Sequence, residues 1–217
     1  MQAAQSEPAN SRRAGELVAI FGLGPALLAL APRWAVSLGI LGGGMLAMML
    51  LRADATFAPG GLWGWSRARG ALGRVLARAA LAGVAMLAFV AWHAPAALFR
   101  LPRTRPVAWA AVMILYPISA YAQEVLYRTF FFHRYGRLFP RAGARVAASA
   151  ALFGWAHIAV NNLVAVGLAT IVGLLFSWTY ERTRSTALVA LEHALYGDVL
   201  FTVGLGEIFY SVSRWMS

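Results

Sequence analysis

The sequence predicts an all-α membrane protein, a bundle of about seven to eight transmembrane helices enclosing a polar cavity. Three observations carry that expectation. Of 217 residues, 60% are hydrophobic and only 12% charged, about half the charge of an ordinary soluble domain. Mean hydropathy is +0.65, and the apolar residues fall in blocks long enough to cross a hydrocarbon core of roughly 30 Å. Most of these blocks also lack the polar stripe that a soluble bundle needs on its outer face. The net charge of +11 comes from 19 basic residues, all of them arginine. They lie in short segments between apolar blocks, which fits membrane orientation better than a nucleic-acid surface, and no nucleic-acid partner is expected. The absence of cysteine excludes disulfides, thiolate nucleophiles and Cys-ligated metals.

Taken in order, residues 1–15 read as a disordered polar tail, followed by N-terminal transmembrane helices and loops over 16–106. The first apolar block, Leu17 to Ala31, has no small-residue cleavage site after it and reads as a retained membrane segment. A second block, Trp34 to Leu51, carries Gly39 and Gly43 at a spacing that lets helices approach closely. A Gly/Pro-containing loop with Trp63 and Trp65 follows, suited to a membrane interface, and a third block spans about Ala79 to Leu98. The region 107–203 holds the fourth block, which Pro117 should kink, and three more: Val146–Val160, Leu163–Tyr180 and Thr186–Val203. Residues 204–217 read as a short amphipathic segment. With the N-terminus inside, thirteen arginines fall in inner segments, and only Arg33, Arg100, Arg103 and Arg105 fall in outer loops. The bias favours a cytoplasmic N-terminus. Richness in Ala, Arg and Gly without Lys suggests a GC-rich bacterial genome, hence a bacterial inner membrane.

Ionisable groups inside apolar helices cost a few kcal/mol each and mark functional sites by default. The stretch AQEVLYRTFFFHRY, residues 122–135, holds Gln123, Glu124 and Arg128. Glu124 precedes Arg128 by four residues, the favourable order for an intrahelical pair, so mutual neutralisation explains both without any catalytic role. Gln123 lies about 100° round the helix and must face another environment. His157 shares a helical face with Phe153 and with Asn161. Glu192 and His193 lie in ALEHALYGD, with Gly197 one turn after His193. His93 and His133 sit at block ends, where interfacial solvation accounts for them.

One acid and two histidines on three apolar helices are costly to bury unless they meet. Together they would supply a general base, a proton shuttle and an oxyanion stabiliser. They also match a zinc site with one open position; no cofactor is otherwise expected. The sequence lacks HExxH, a rhomboid-like serine elbow, the aspartyl GxGD pattern, a Walker A loop and a dinucleotide glycine fingerprint.

The order and spacing of these elements resemble the CPBP family, the CAAX-protease and bacteriocin-processing membrane proteins also called Abi. Its EExxxR motif meets Gln123-Glu124 and Arg128, its FxxxH motif is matched by Phe153 and His157, and its HxxxN motif by His193 and Gly197. The resemblance covers roughly residues 107–203. It implies an all-helical membrane fold with a conical cavity where these groups converge near the cytoplasmic side. It also implies intramembrane peptide hydrolysis, with Glu124 and His157 activating water, His193 stabilising the oxyanion and Arg128 positioning the acid. Two departures stand out. Aligned on the arginine, the family's first glutamate falls at Gln123, so either Glu124 takes its role or hydrolysis is lost. The family's asparagine falls at Gly197, so Asn161 becomes the candidate replacement donor. The implied substrate is a membrane-embedded or lipid-modified peptide or protein, met among membrane lipids. The alternatives are an inactive scaffold of the same fold and a zinc-dependent hydrolase using the same residues.

Overall fold

The computed structural model describes residues 6–206, which are helical almost throughout, with no strand among them. Helix α1 (Ser6–Leu17) runs through a π turn (Val18–Leu23) into α2 (Gly24–Ala29). The long α3 (Arg33–Ala53) follows, then the short α4 (Gly60–Trp63) and α5 (Trp65–His93). A connector holding α6 (Arg100–Thr104) leads to α7 (Pro106–Glu124), which passes through a second π turn (Val125–Phe130) into α8 (Phe131–Arg134). Helices α9 (Ala142–Ala156), α10 (Leu163–Thr183) and α11 (Thr186–Val203) complete the bundle.

Five stretches are long and apolar enough to cross a membrane: Trp34–Ala53, Gly60–His93, Ala142–Val160, Leu163–Thr183 and Thr186–Val203. This is a multi-pass membrane protein. The first and fourth apolar blocks are helical as well but fall outside that set. Gly22, Gly24 and Pro25 punctuate the first, and Pro117 with the polar stretch at 123–128 dilutes the fourth. Part of the tail expected to be disordered is helical, because α1 starts at Ser6 and its Glu16 accepts two hydrogen bonds from Arg134, each 2.9 Å. From residue 207 onward, the expected amphipathic C-terminal segment lies outside the described residues.

Helix α11 is the most buried of the five spans and packs against α5 and α7, while α9 packs along α10 and α3 along α7. The α9–α10 seam is built on small residues, the usual means of close approach in lipid. A Cβ on Gly154 would overlap the Thr170 hydroxyl, and one on Gly173 would press on Phe153 and the Ala150 backbone at 3.1–3.3 Å. Behind α7, the closest approach of α3 is at Gly44, where a Cβ would meet Ala122 at 2.7 Å; the expected pair Gly39 and Gly43 faces Leu28 and Leu126 instead. Helix ends are satisfied locally. Asn162 accepts from Val164 and Ala165 N–H to cap α10, and Ser185 accepts from Leu188 N–H to cap α11.

An ion pair between a buried carboxylate and a half-buried arginine ties three helices together. Glu192 of α11 lies 3.0 Å from Arg78 of α5 and accepts a 2.8 Å hydrogen bond from Thr179 of α10. Glu192 therefore has a structural partner set of its own. His133, expected to be merely solvated, lies 2.9 Å from Asp54, while His93 stacks on Phe89.

Two measurements test this account. Gly154→Ala should cost about 1–3 kcal/mol through overpacking, and Thr170→Ala should recover part of that loss; a thermal shift of zero in detergent would refute the close seam. At Asp54, hydrogen bonds from the Thr56 hydroxyl, His133 and the Thr56 backbone hold the carboxyl well below the usual carboxylate range. A lowered folded-state pKa gives stability that is complete above the unfolded value, near 4, and lost as pH falls. Asp54→Asn should melt below the parent at pH 7 and converge with it in acid. Parallel curves would contradict it.

Candidate active site

Tyr116, Ala120, Glu124 and Arg128 recur every four residues and so lie along one face of a helical turn. Glu124 ends α7 and Arg128 lies in the π turn that follows, a local rewinding often found at functional sites. Both side chains have no exposure at all. Arg128 Nη1 donates to Glu124 Oε1 at 3.3 Å, and its Nε approaches Oε2 to 3.1 Å without a directed hydrogen bond. The guanidinium also donates to the Gly173 carbonyl and sits 4.3 Å over the Phe153 ring and 5.5 Å over Phe176. Desolvated cation–π contacts of this kind contribute about 2 kcal/mol, so both charge pairing and aromatic faces make the burial tolerable.

His193, on α11, meets the same carboxylate: its Nδ1 lies 2.7 Å from Glu124 Oε1. A carboxylate only accepts, so Nδ1 carries a proton, and Nε2 is the nitrogen turned away from Glu124. The ring stacks on Phe176 at 4.9 Å and stands edge-on to Phe153 at 5.5 Å. His193 Nε2 lies 3.1 Å from the Tyr116 hydroxyl. Tyr116 was not singled out from sequence, although its position two turns before Glu124 on one helical face was the available signal.

His157 opens a 3-10 turn at the end of α9. Its Nδ1 lies 2.9 Å from the Phe153 carbonyl, which again only accepts, so Nε2 holds the free lone pair of the neutral ring. The Phe153 ring packs edge-on to His157 at 4.9 Å. Phe153 thus touches Arg128, His157 and His193 at once, which gives FxxxH a physical meaning: the phenylalanine is a shared floor for the charged groups.

The remaining sequence candidates separate from the cluster. Gln123 donates to Ser119, one turn earlier on α7, at 3.2 Å, so the glutamate and not the glutamine faces His193. Asn161 takes a left-handed conformation, φ 55°, and its amide reaches the Ala29 carbonyl at 3.5 Å. It serves the junction with α2 and is not brought to the histidines, because the turn between α9 and α10 needs that residue for its backbone. Gly197 lies against the Tyr116 ring.

Among the described residues no three His, Cys, Asp or Glu side chains are grouped as a metal-ligand set. Both His193 nitrogens have protein partners. A cavity of about 630 Å³ opens at the arginine-rich end of the bundle, bordered by Arg67, His133 and Arg184. None of Glu124, Arg128, His157 or His193 lines it, so the conical cavity expected around the motifs is not where this opening lies.

Residues 102–197 match the family described as type II CAAX prenyl endopeptidase, Rce1-like. No curated protein and no solved structure matches the chain. The matched segment begins just before α7 and ends at Gly197, so it contains every member of the Glu124–Arg128–His157–His193 cluster. Over that segment, this membrane protein is similar to the type II CAAX prenyl endopeptidases.

Proposed function

We infer that the protein is an intramembrane endopeptidase that hydrolyses a peptide bond near the cytoplasmic face of a bacterial inner membrane. The observation that carries this reading is the 2.7 Å contact between Glu124 and His193 Nδ1, which joins the first and third motifs into one polar unit. In this scheme, His157 Nε2 removes a proton from water as the water oxygen attacks the scissile carbonyl carbon. His193, paired with Glu124 as the imidazolium, donates Nε2–H to the carbonyl oxygen as it becomes an oxyanion. Collapse of the tetrahedral intermediate breaks the C–N bond, and His157 returns the proton to the leaving amine. Arg128 keeps Glu124 in place by charge. Glu124 has no exposure, so it acts through His193, the imidazole it contacts, rather than by touching water.

The N-terminus is cytoplasmic in this reading, on the strength of the arginine bias, which places the basic end of the bundle inside. The substrate is a membrane-embedded or lipid-modified peptide or protein, approached from the lipid, and the chemistry needs no metal. Support for that last point is that the Glu124 carboxylate is already held by Arg128 and by His193.

The test is turnover of quenched peptides, prenylated and unmodified at their C-termini, by the full chain in proteoliposomes. His157→Ala should lower kcat about 10²–10⁴-fold with an unchanged melting temperature, since His157 is only half-buried. Glu124→Gln should abolish turnover and also destabilise, because Arg128 is left as an unpaired buried charge, a loss of about 3–5 kcal/mol. No turnover by the parent on any of these peptides would sink the reading in favour of a scaffold. Separately, chelators should leave the rate unchanged and purified protein should carry no stoichiometric zinc; one zinc per chain lost together with activity would point to the zinc hydrolase instead.

A further inference from the structure

We propose that Tyr116 is a catalytic residue of this site, its hydroxyl donating to the oxyanion in place of the asparagine missing at position 197. The proposal rests on the hydrolase reading above and adds to it a group outside the three motifs.

Three observations converge on it. The first is chemical: the Tyr116 hydroxyl lies 3.1 Å from His193 Nε2, the nitrogen turned away from Glu124. A donor beside that nitrogen and the nitrogen itself are the two groups an oxyanion would meet. The second is steric. A Cβ on Gly197 would overlap Cε1 and Cζ of Tyr116 and come within 2.5 Å of its hydroxyl oxygen. The phenol therefore fills the volume that any side chain at 197 would need. Glycine at this position is the complement of tyrosine on the facing helix, and the hydroxyl ends where the first atoms of an asparagine side chain would begin. The third is rigidity. The ring stands edge-on to His193 at 5.7 Å and to Phe201 at 5.5 Å, so α11 holds it at two points. Preorganised donors are worth most when they need no rearrangement as charge develops.

The role balances simply. As the water oxygen bonds to the carbonyl carbon, the carbonyl π electrons move onto oxygen, and the proton leaves water for His157. His193 acts as the imidazolium, protonated at both nitrogens and balanced by the Glu124 carboxylate, so the oxyanion accepts from Tyr116 O–H and from His193 Nε2–H. When the carbonyl re-forms and the C–N bond breaks, both donors keep their protons. Tyr116 stabilises charge and is neither acid nor base over the cycle. A purely structural tyrosine packed against a glycine would need only its ring.

That difference sets the test, made on the full chain in proteoliposomes with the quenched peptide library. Tyr116→Phe keeps the ring and removes the hydroxyl. It should lower kcat about 10²–10³-fold, the loss typical of one oxyanion donor, with KM within about twofold and the melting temperature unchanged. Gly197→Asn alone should lose activity through the clash. In the Tyr116→Ala background the same substitution should raise kcat at least tenfold over Tyr116→Ala alone, because the carboxamide then supplies the donor. Parental kcat in Tyr116→Phe overturns the proposal and leaves the hydrolase reading intact, provided His157→Ala is inactive. An asparagine that restores nothing in the Tyr116→Ala background also overturns it. A parent chain without turnover overturns both.

Discussion

A carboxylate without access to water can remain charged only if the fold surrounds it with compensating groups, and the structure is organised around doing so for Glu124. The cost of isolating such a charge is several kcal/mol. It is met here by Arg128 from the same helix, His193 from α11, and the aromatic faces of Phe153 and Phe176 beneath the guanidinium. These contacts bring α7, α9, α10 and α11 to one point. Removing the arginine would expose the acid to its full desolvation penalty, and removing the acid would strand the arginine and release the imidazole. The same interaction is therefore the tertiary lock of the core and the device that orients the histidine ring.

The π turn after Glu124 and the aromatic cluster below it serve that arrangement. A hydrophobic helix carrying Glu and Arg one turn apart would ordinarily bury one and leave the other to reach for a headgroup. Arg128 instead turns inward over the two rings and reaches the Gly173 carbonyl on α10. The tight α9–α10 seam at Gly154 and Gly173 makes that reach short enough. Glu192, one residue before His193, is removed from the site by a separate partner, Arg78. Two acids in adjacent helical environments thus have different neighbours, so the charge near His193 comes from Glu124 alone among its direct contacts.

The fold class and the membrane location were legible in the sequence because they follow from block length, hydropathy and arginine placement, which are local properties. The pairing of Glu124 with Arg128 was legible for the same reason, being a four-residue spacing on one helix. The weak points were those where the local pattern permits two outcomes. The first apolar block read as a span, yet its helix ends at Ala29 with a π turn inside it, and it falls outside the set long and apolar enough to cross a membrane. Gly39 and Gly43 matched a packing motif, but the tight contact of α3 with α7 is at Gly44, while Gly39 is close to Leu28 of α2. Asn161 had the right chemistry for a substitute donor, but the turn it occupies sends its amide to Ala29.

The sequence by itself determined that this chain lives in a membrane and that three apolar helices carry an acid and two histidines which cannot be left alone there. It also supplied the order of motifs that underlies the similarity of residues 102–197 to the type II CAAX prenyl endopeptidases. Only the tertiary structure decided that Glu124, and not Gln123, meets His193, and that Tyr116 occupies the space beside Gly197. The reason is geometric. Helical spacing tells which residues share a face, but which face meets which neighbour depends on the rotation of each helix in the bundle, and that is set by close packing between residues far apart in sequence.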